Sequence, residues 1–210
     1  EQSDLLQALF GRNGESPVAV VAPQSPADCF DIAREAARIA VTHRTPVIVL
    51  SDGAIANGSE PWLLPEVDQL PQIEPALATP PDPEPETNGA NGKYLPYARD
   101  PQTLARDWAG PGQAGLEHRI GGLEKANGTG NISYTPDNHD LMTRTRALRI
   151  ARIDVPDIEV DDPTGDAEVL VIGWGSSYGP IGEAVRRARA SGHRVARAHV
   201  RHLNPLPHNI

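Results

Sequence analysis

The chain has 210 residues, a formal net charge of −9 and a pI near 5.2. That length suffices for one or two domains with buried cores, and the acidic balance argues against a nucleic-acid binder. No stretch approaches the roughly 18 consecutive apolar residues of a membrane span, and the start lacks a basic-then-apolar signal segment, so a soluble, cytoplasmic protein is expected.

In chain order, the opening residues enter a helix almost at once, with Ser3 or Asp4 as its cap and Gly11 as its stop. Arg12, Asn13, Gly14 and Glu15 then lead to the first strand. Gly14 offers positive φ and Arg12 a fork that can clamp a carboxylate, although a plain turn explains both. Residues 18–22 and 47–50 are short apolar runs rich in β-branched side chains, the pattern of central parallel strands covered by helices on both sheet faces. Between them Ser25 is placed as an N-cap, Pro26 at the first helical position and Asp28 near the positive end of the macrodipole. Phe30, Ala33, Ala37, Ala40 and Val41 recur at helical spacing, with Asp31, Arg34, Glu35 and Arg38 among them. The unit reads as a βαβ crossover. Cys29, the only cysteine, falls in this helix as a small core residue. It excludes an internal disulfide and cannot by itself hold an iron-sulfur cluster or a Cys-rich zinc site.

After Asp52 the pattern dissolves. Residues 61–92 are dense in Pro, Asp, Glu, Asn and Gly and read as a linker, with polyproline II favoured over 80–85 and no reason for 88–92 to order alone. Residues 93–134 are Gly-rich and irregular, with Trp108, Leu116 and Ile120 as apolar anchors. Thr135 caps a helix running to about Ile153 under Leu141, Met142, Thr145 and Leu148. A second βαβ-like half follows: a buried strand over 169–172, a loop over 173–179, a helix over 180–190 stopped by Gly192, and a strand over 193–201. In that last strand Ala196, Ala198 and Val200 form the buried face, and Arg197, His199 and Arg201 the polar one. The expected division is therefore 1–60, 61–134 and 135–210, an α/β fold of parallel sheets with flanking helices. With no initiator Met, the chain is expected to be a fragment of a longer polypeptide.

Few motifs carry chemistry. Gly173, Gly175 and Gly179 lie between a strand and a helix, where backbone amides cradle phosphate. Their spacing has one residue too many for the dinucleotide fingerprint, and no acid follows the next strand to hold a ribose, so a tight strand-to-helix turn is favoured. Arg197, His199 and Arg201 form a basic row suited to a phosphorylated cofactor or a partner's carboxylates, or to simple solvation. Glu117-His118 and the run from Asp137 to Asp140 are the dense acid-histidine clusters, but neither has the paired-His spacing of a helical metal site. No nucleophile elbow, P-loop or Cys-based motif is present, and no metal ligand set is assigned.

Several segments nevertheless carry a resemblance when taken in order. Glu1-Gln2-Ser3-Asp4-Leu5-Leu6, the run from Gly11 to Pro17, the run from Pro46 to Asp52, Gly115-Leu116-Glu117-His118, Gly121-Gly122-Leu123-Glu124 and the run from Thr135 to Met142 are similar to the α subunits of 2-oxoacid:ferredoxin oxidoreductases. The nearest likeness is to the actinobacterial 2-oxoglutarate enzymes. Gly173-Trp174-Gly175-Ser176 and Leu203-Asn204-Pro205-Leu206-Pro207 resemble that family's transketolase-C-terminal-like domain. The likeness spans essentially the whole chain except the Pro-rich linker.

This resemblance implies the closing part of a pyrimidine-side, thiamine-diphosphate-binding-like domain followed by part of a transketolase-C-terminal-like domain. It implies an enzyme of α2β2 composition that decarboxylates a 2-oxoacid, passes electrons to ferredoxin and yields an acyl-CoA. Thiamine diphosphate, Mg2+ and a [4Fe-4S] cluster would sit mainly on the β subunit. The family's Tyr-Pro-Ile-Thr-Pro segment, its Glu that activates the aminopyrimidine and its substrate-orienting Gly-x-Pro-Thr segment have no match here; by family order they precede Glu1. No catalytic residue is therefore assigned, and the chain alone is expected to be inactive and to bind no cofactor. Arg12 and Glu15, then His118 and Asp137, are expected beside the substrate pocket, and Arg197, His199 and Arg201 at a subunit or phosphate contact. Two other readings stay open: a non-catalytic assembly module, and a CoA- or nucleotide-binding domain using the loop from Gly173 to Gly179.

Overall fold

The computed structural model describes residues 2–81 and 93–210. The acidic and Asn-Gly stretch over 82–92, with most of the expected polyproline run, lies outside the described residues.

Helix α1 (Gln2–Phe10) already contains Ser3 and Asp4, so neither is its cap. Gly11 does end it: its N–H donates to the Gln7 carbonyl at 2.8 Å, and a Cβ there would lie 2.6 Å from that oxygen. Strand β1 (Ala19–Val21), helix α2 (Asp28–His43) and strand β2 (Val47–Val49) form the expected crossover, with β1 and β2 parallel and Ala19 opposite Val47. Ser25 caps a turn rather than the helix proper. Its hydroxyl accepts from Asp28 N–H at 3.4 Å, while Cys29 N–H donates to the Pro26 carbonyl three residues back, a turn that leads into the start of α2. Cys29 is half-buried.

β1 is the axis of the first lobe. Ala19 and Val21 face a core with Ile32, Ile39, Ile150, Ile153 and Val155. Val18, Val20 and Ala22 face another with Ala8, Val200 and Leu203, bordered by Leu5, Leu9 and Trp174. Residues Ala19 to Ala22 are fully buried, as the apolar run implies for a strand covered on both faces. β2 differs from the expectation of a central strand. The sheet order is β2-β1-β6, with β6 formed by His202–Asn204, which places β2 at an edge and leaves Val49 44% exposed.

The second sheet has the order β3-β5-β4, built from β3 (Val160–Asp161), β4 (Val169–Trp174) and β5 (Val195–Val200), with α5 (Tyr178–Ala190) joining the parallel β4 and β5. The alternation expected in β5 holds, since Ala196, Ala198 and Val200 are buried. The buried strand expected over 169–172 does not: Val169, Leu170 and Ile172 are 54, 47 and 51% exposed. β4 lies at the sheet edge, and among the described residues no layer covers these side chains. Directly after β5 the chain enters β6 (His202–Asn204), which pairs antiparallel with β1. The two sheets are thus sewn together by one continuous segment.

Helix α4 (Pro136–Ala151) begins at Pro136 as expected, but the Thr135 hydroxyl makes no cap bond and meets Ser133 Oγ instead. Its inner face is also rotated from the expected one. Met142 and Ile150 are buried, whereas Leu141 and Leu148 are exposed, because Ile150 and the following Ile153 are drawn into the core beneath β1. The described parts of 61–134, residues 61–81 and 93–134, are largely irregular yet pinned to α2. Arg34 donates to the Pro71 carbonyl at 2.9 Å, and Trp108 Nε1 to the Val41 carbonyl at 2.9 Å. Leu116 is buried as an anchor, but Ile120 is 86% exposed and anchors nothing.

Ile39→Ala is expected to cost about 2–5 kcal/mol, because the side chain is fully enclosed. Leu63→Ala, at a position 90% exposed, is expected to stay within about 0.5 kcal/mol. Denaturant midpoints of the two variants check this contrast.

Candidate functional site

The carboxyl ends of the parallel strands β1, β2 and β4 converge where the two sheets meet, the position at which open α/β sheets bind ligands. A crevice of about 560 Å³ lies alongside, lined among others by Gln24, Asp161, Tyr178, Arg197, His199 and Arg201. The basic row is therefore brought to one place. It is not a free anion receptor, because each of its arginines already has a carboxylate.

Arg201 Nε donates to Asp28 Oδ2 at 3.1 Å and its Nη2 to Asp28 Oδ1. Asp28, expected only to favour the helix dipole, is buried, and its Oδ2 also accepts Gln24 N–H at 2.9 Å. Arg197 Nε donates to Asp161 Oδ2 at 2.8 Å, and its guanidinium lies 5.4 Å from the Tyr178 ring centre. The Arg197 hydrogen bond holds the Asp161 carboxyl below its usual range, with Arg189 assisting. Tyr178 meets His199 edge to face at 5.1 Å. Burial, and then the charges of Arg201 and Arg197, keep His199 below the ordinary imidazole pKa against the opposing pull of Asp28. It is a neutral imidazole at pH 7, and its buried Nε2 has no partner among the described residues.

The glycine loop closes in the same economical way. A 3-10 turn over Gly175–Ser177 runs straight into α5, and Gly175 takes φ +62. A Cβ at Gly173 would lie 2.3 Å from Ile181 Cδ1 and 2.6 Å from Ser177 Oγ, so glycine lets these side chains pack directly on the strand. The amide a phosphate would seek is occupied: Ser176 N–H donates to Asp52 Oδ2 at 3.2 Å. The other oxygen of Asp52 accepts Ala54 and Ile55 N–H at 2.9 and 3.0 Å, capping the short helix α3 (Gly53–Asn57). The hydrogen bonds with Ser176 and Ile55 hold the Asp52 carboxyl below its usual range. One side chain thus ties the end of β2 to the turn after β4. With Arg197, Arg201 and Ser176 all satisfied internally, this crevice does not fit the diphosphate of a thiamine cofactor.

A second, half-buried network stands behind Arg201. Glu35 accepts Arg38 through both oxygens at 2.7 Å and meets His202 Nε2 at 3.0 Å. Burial alone would raise the Glu35 carboxyl, but the bonds from Arg38 and His202 outweigh it and bring the pKa to about 2.

The remaining candidates lie apart from the crevice. The Arg12 guanidinium donates to the Ala8 and Ser16 carbonyls, bracing the turn after α1, with Glu15 exposed beside it. His118 Nδ1 meets the Leu116 carbonyl at 2.8 Å, and its ring lies edge-on to Tyr94. Asp137 is exposed in the first turn of α4. Among the described residues no group of three or more His, Cys, Asp or Glu side chains converges as metal ligands, and no helix is long and apolar enough to cross a membrane. Sequence reasoning does not find Asp28, Glu35 and Asp161 as partners of the basic groups, nor Asp52 as the link to the Ser176 amide. Only Asp52, an acid between a strand and a Gly-Ala-Ile-Ala segment, carried a local capping signal.

Residues 1–137 match the family model described as pyruvate flavodoxin/ferredoxin oxidoreductase, thiamine diP-bdg. The chain belongs to this family. Over all 210 residues it is 66% identical to the 2-oxoglutarate oxidoreductase subunit KorA of Mycobacterium tuberculosis, covering 31% of that protein. Subunit alpha of the 2-oxoacid:ferredoxin oxidoreductase 1 of Aeropyrum pernix is 31% identical over 98% of the chain, which again covers 31% of that protein. The solved 2-oxoglutarate:ferredoxin oxidoreductase from Magnetococcus marinus, with 2-oxoglutarate, coenzyme A and succinyl-CoA bound, superposes with a TM-score of 0.79 at 30% identity, over 99% of this chain and 34% of that one. The chain thus spans about a third of the length of these oxidoreductase family members. The α/β fold expected from the sequence agrees with the family and with this structural neighbour.

Two outcomes test the network. Arg201→Met leaves the buried Asp28 carboxylate uncompensated and is expected to cost about 3 kcal/mol, near the lower end for a broken buried pair because Arg201 is itself partly exposed. Glu35 has a depressed pKa, so its contribution is full above the ordinary value of 4.5 and lost as pH falls from there towards about 2. Unfolding free energies measured across that window should fall less steeply for Glu35→Gln than for the unaltered protein.

Proposed function

We propose that this chain is part of the α subunit of a thiamine-diphosphate-dependent 2-oxoacid:ferredoxin oxidoreductase, with 2-oxoglutarate as substrate, forming acyl-CoA, CO2 and reduced ferredoxin. The observation that carries this reading is the 66% identity along the entire chain to a 2-oxoglutarate oxidoreductase subunit. The partners are a β subunit, in an α2β2 assembly, and ferredoxin, and the setting is the cytoplasm. Thiamine diphosphate, Mg2+ and a [4Fe-4S] cluster are assigned to the complex, mainly to its β subunit. When bound, the thiamine cofactor supplies the electron sink for decarboxylation.

The residues of this chain then act as scaffold. Residues 1–60 close the pyrimidine-side domain, 61–134 connect, and 135–210 contribute the helix and part of the transketolase-C-terminal-like domain. The Asp28–Arg201 and Asp52–Ser176 links hold the two sheets at a constant relation, so a pocket built against them by other segments would keep its shape. Arg12 and Glu15 are proposed beside the substrate pocket, with His118 and Asp137 as further neighbours. Because Arg197 and Arg201 are neutralised from within, the basic row acts in subunit contact through the crevice rim and His199 rather than by holding phosphate.

Full-length protein combined with its β partner is expected to reduce ferredoxin only when 2-oxoglutarate, CoA and thiamine diphosphate are all present, whereas the 210-residue chain alone shows no turnover. Turnover by the chain alone, without cofactor or partner, would overturn the assignment. Arg12→Ala should raise the KM for the 2-oxoacid with little change in thermal stability; an unchanged KM would remove Arg12 from the pocket.

A further inference from the structure

The irregular segment and α4 together build a strongly basic cup. It has a volume of about 450 Å³, and its lining includes Arg99, Arg106, Lys125, Arg146 and Arg149, with Glu124 as the one carboxylate. Glu124 is already shared between Arg146 Nη1 at 3.2 Å and His139 Nδ1 at 2.9 Å. The other cations rest on neutral groups. Arg99 donates to the Tyr97 carbonyl at 3.3 Å and to Asn127 Oδ1 at 2.7 Å, and Arg106 to the Pro96 carbonyl at 3.1 Å while lying 4.1 Å over the Tyr97 ring. Lys125, only 3% exposed, donates to the Gly121 and Leu123 carbonyls. Arg149 Nε is buried with no partner among the described residues.

Such a cluster is costly by itself. Like charges held close in a half-buried site repel by kcal/mol amounts, and burial together with Arg106, Arg99, Arg146 and Arg44 brings the Arg149 pKa down to about 10. The cup is nonetheless firmly built. Its floor and rim are held by the Tyr97–Gly128 and Lys125–Ile132 bridges and by Asn138, which accepts Asn127 N–H at 3.0 Å and donates to the Lys125 carbonyl at 2.9 Å. At its flank Arg44 takes the left-handed conformation, φ +48, where glycine is usual, and its guanidinium donates to the Asp107 carbonyl and lies over Trp108. In a chain of net charge −9, so concentrated a positive excess calls for a bound counter-anion. Several guanidinium forks suit phosphoryl oxygens, and the excess over a single carboxylate favours a group with two or more negative charges.

We propose that the cup formed by Arg99, Arg106, Lys125, Arg146 and Arg149 binds a phosphoryl group carrying at least two negative charges, either a phosphate of CoA or that of a free phosphorylated ligand. This site is separate from the crevice, and its occupancy does not depend on the activity assigned above.

The test is calorimetric titration of the assembled complex with inorganic diphosphate in the absence of 2-oxoacid. One saturable site per chain is expected, with affinity falling as ionic strength rises. Arg106→Gln and Arg149→Gln should each weaken binding about tenfold or more, the loss of one charged hydrogen-bonding partner. Arg106 has no buried unpartnered nitrogen, unlike Arg149, so its variant keeps the test valid if Arg149→Gln fails to fold, with the melting temperature checking that it is folded. Titration with CoA and dephospho-CoA separates the sources. A parallel loss for CoA in Arg106→Gln, absent for dephospho-CoA, assigns the site to the CoA phosphomonoester; an unchanged CoA affinity with weakened diphosphate binding assigns it to a free phosphorylated ligand. Absence of saturable diphosphate binding, binding insensitive to Arg106→Gln, or equal displacement by 2-oxoglutarate would overturn the proposal.

Discussion

The complete burial of β1 is the constraint on which the rest of the structure depends. A three-residue strand with no exposed face needs partners on both edges and cover on both sides. α2 and the end of α4 supply one cover through Ile32, Ile39, Ile150 and Ile153, and α1 and the second lobe supply the other through Ala8, Val200 and Leu203. The edges are filled by β2, which α2 returns in parallel, and by β6, which arrives from the far end of the chain. Distant segments are committed to one another because the apolar side chains of a single strand cannot be buried without them.

This arrangement fixes what happens at the strand ends. Bringing β6 to β1 carries Arg201 to Asp28, and the same closure sets the turn after β4 beside Asp52. Charges and amides that an isolated sheet would present to a ligand are spent on joining the sheets. The basic cup differs in this respect: its arginines face one shared carboxylate and several carbonyls. The positive groups that a ligand could still neutralise therefore lie in the segment with the least regular structure, supported on α4. Irregular backbone held by a rigid element is a common place for binding residues.

Local order was legible to different degrees for identifiable reasons. The crossover could be read because a continuous β-branched run, a proline-led helix start and a second such run are all local signals. The alternation of Ala196, Ala198 and Val200 could be read for the same reason. The exposure of Val169, Leu170 and Ile172 could not, since an apolar run reports the capacity to be buried and not the presence of a covering layer. Likewise, the inner face of α4 turned away from Leu141 and Leu148 because Ile150 and Ile153 reach a core formed by residues more than a hundred positions earlier.

The sequence by itself determined the α/β class, the crossover and the segment order shared with its family, because these depend on side-chain periodicity and turn chemistry within a few residues of each position. Only the tertiary structure decided the partners of the charged groups. Arg201 and Asp28 are 173 residues apart and Ser176 and Asp52 are 124 apart, and no local preference selects one carboxylate among 28 acidic residues. That selection follows from burial, which removes water as the competing partner and leaves each charge dependent on the group that the fold sets beside it.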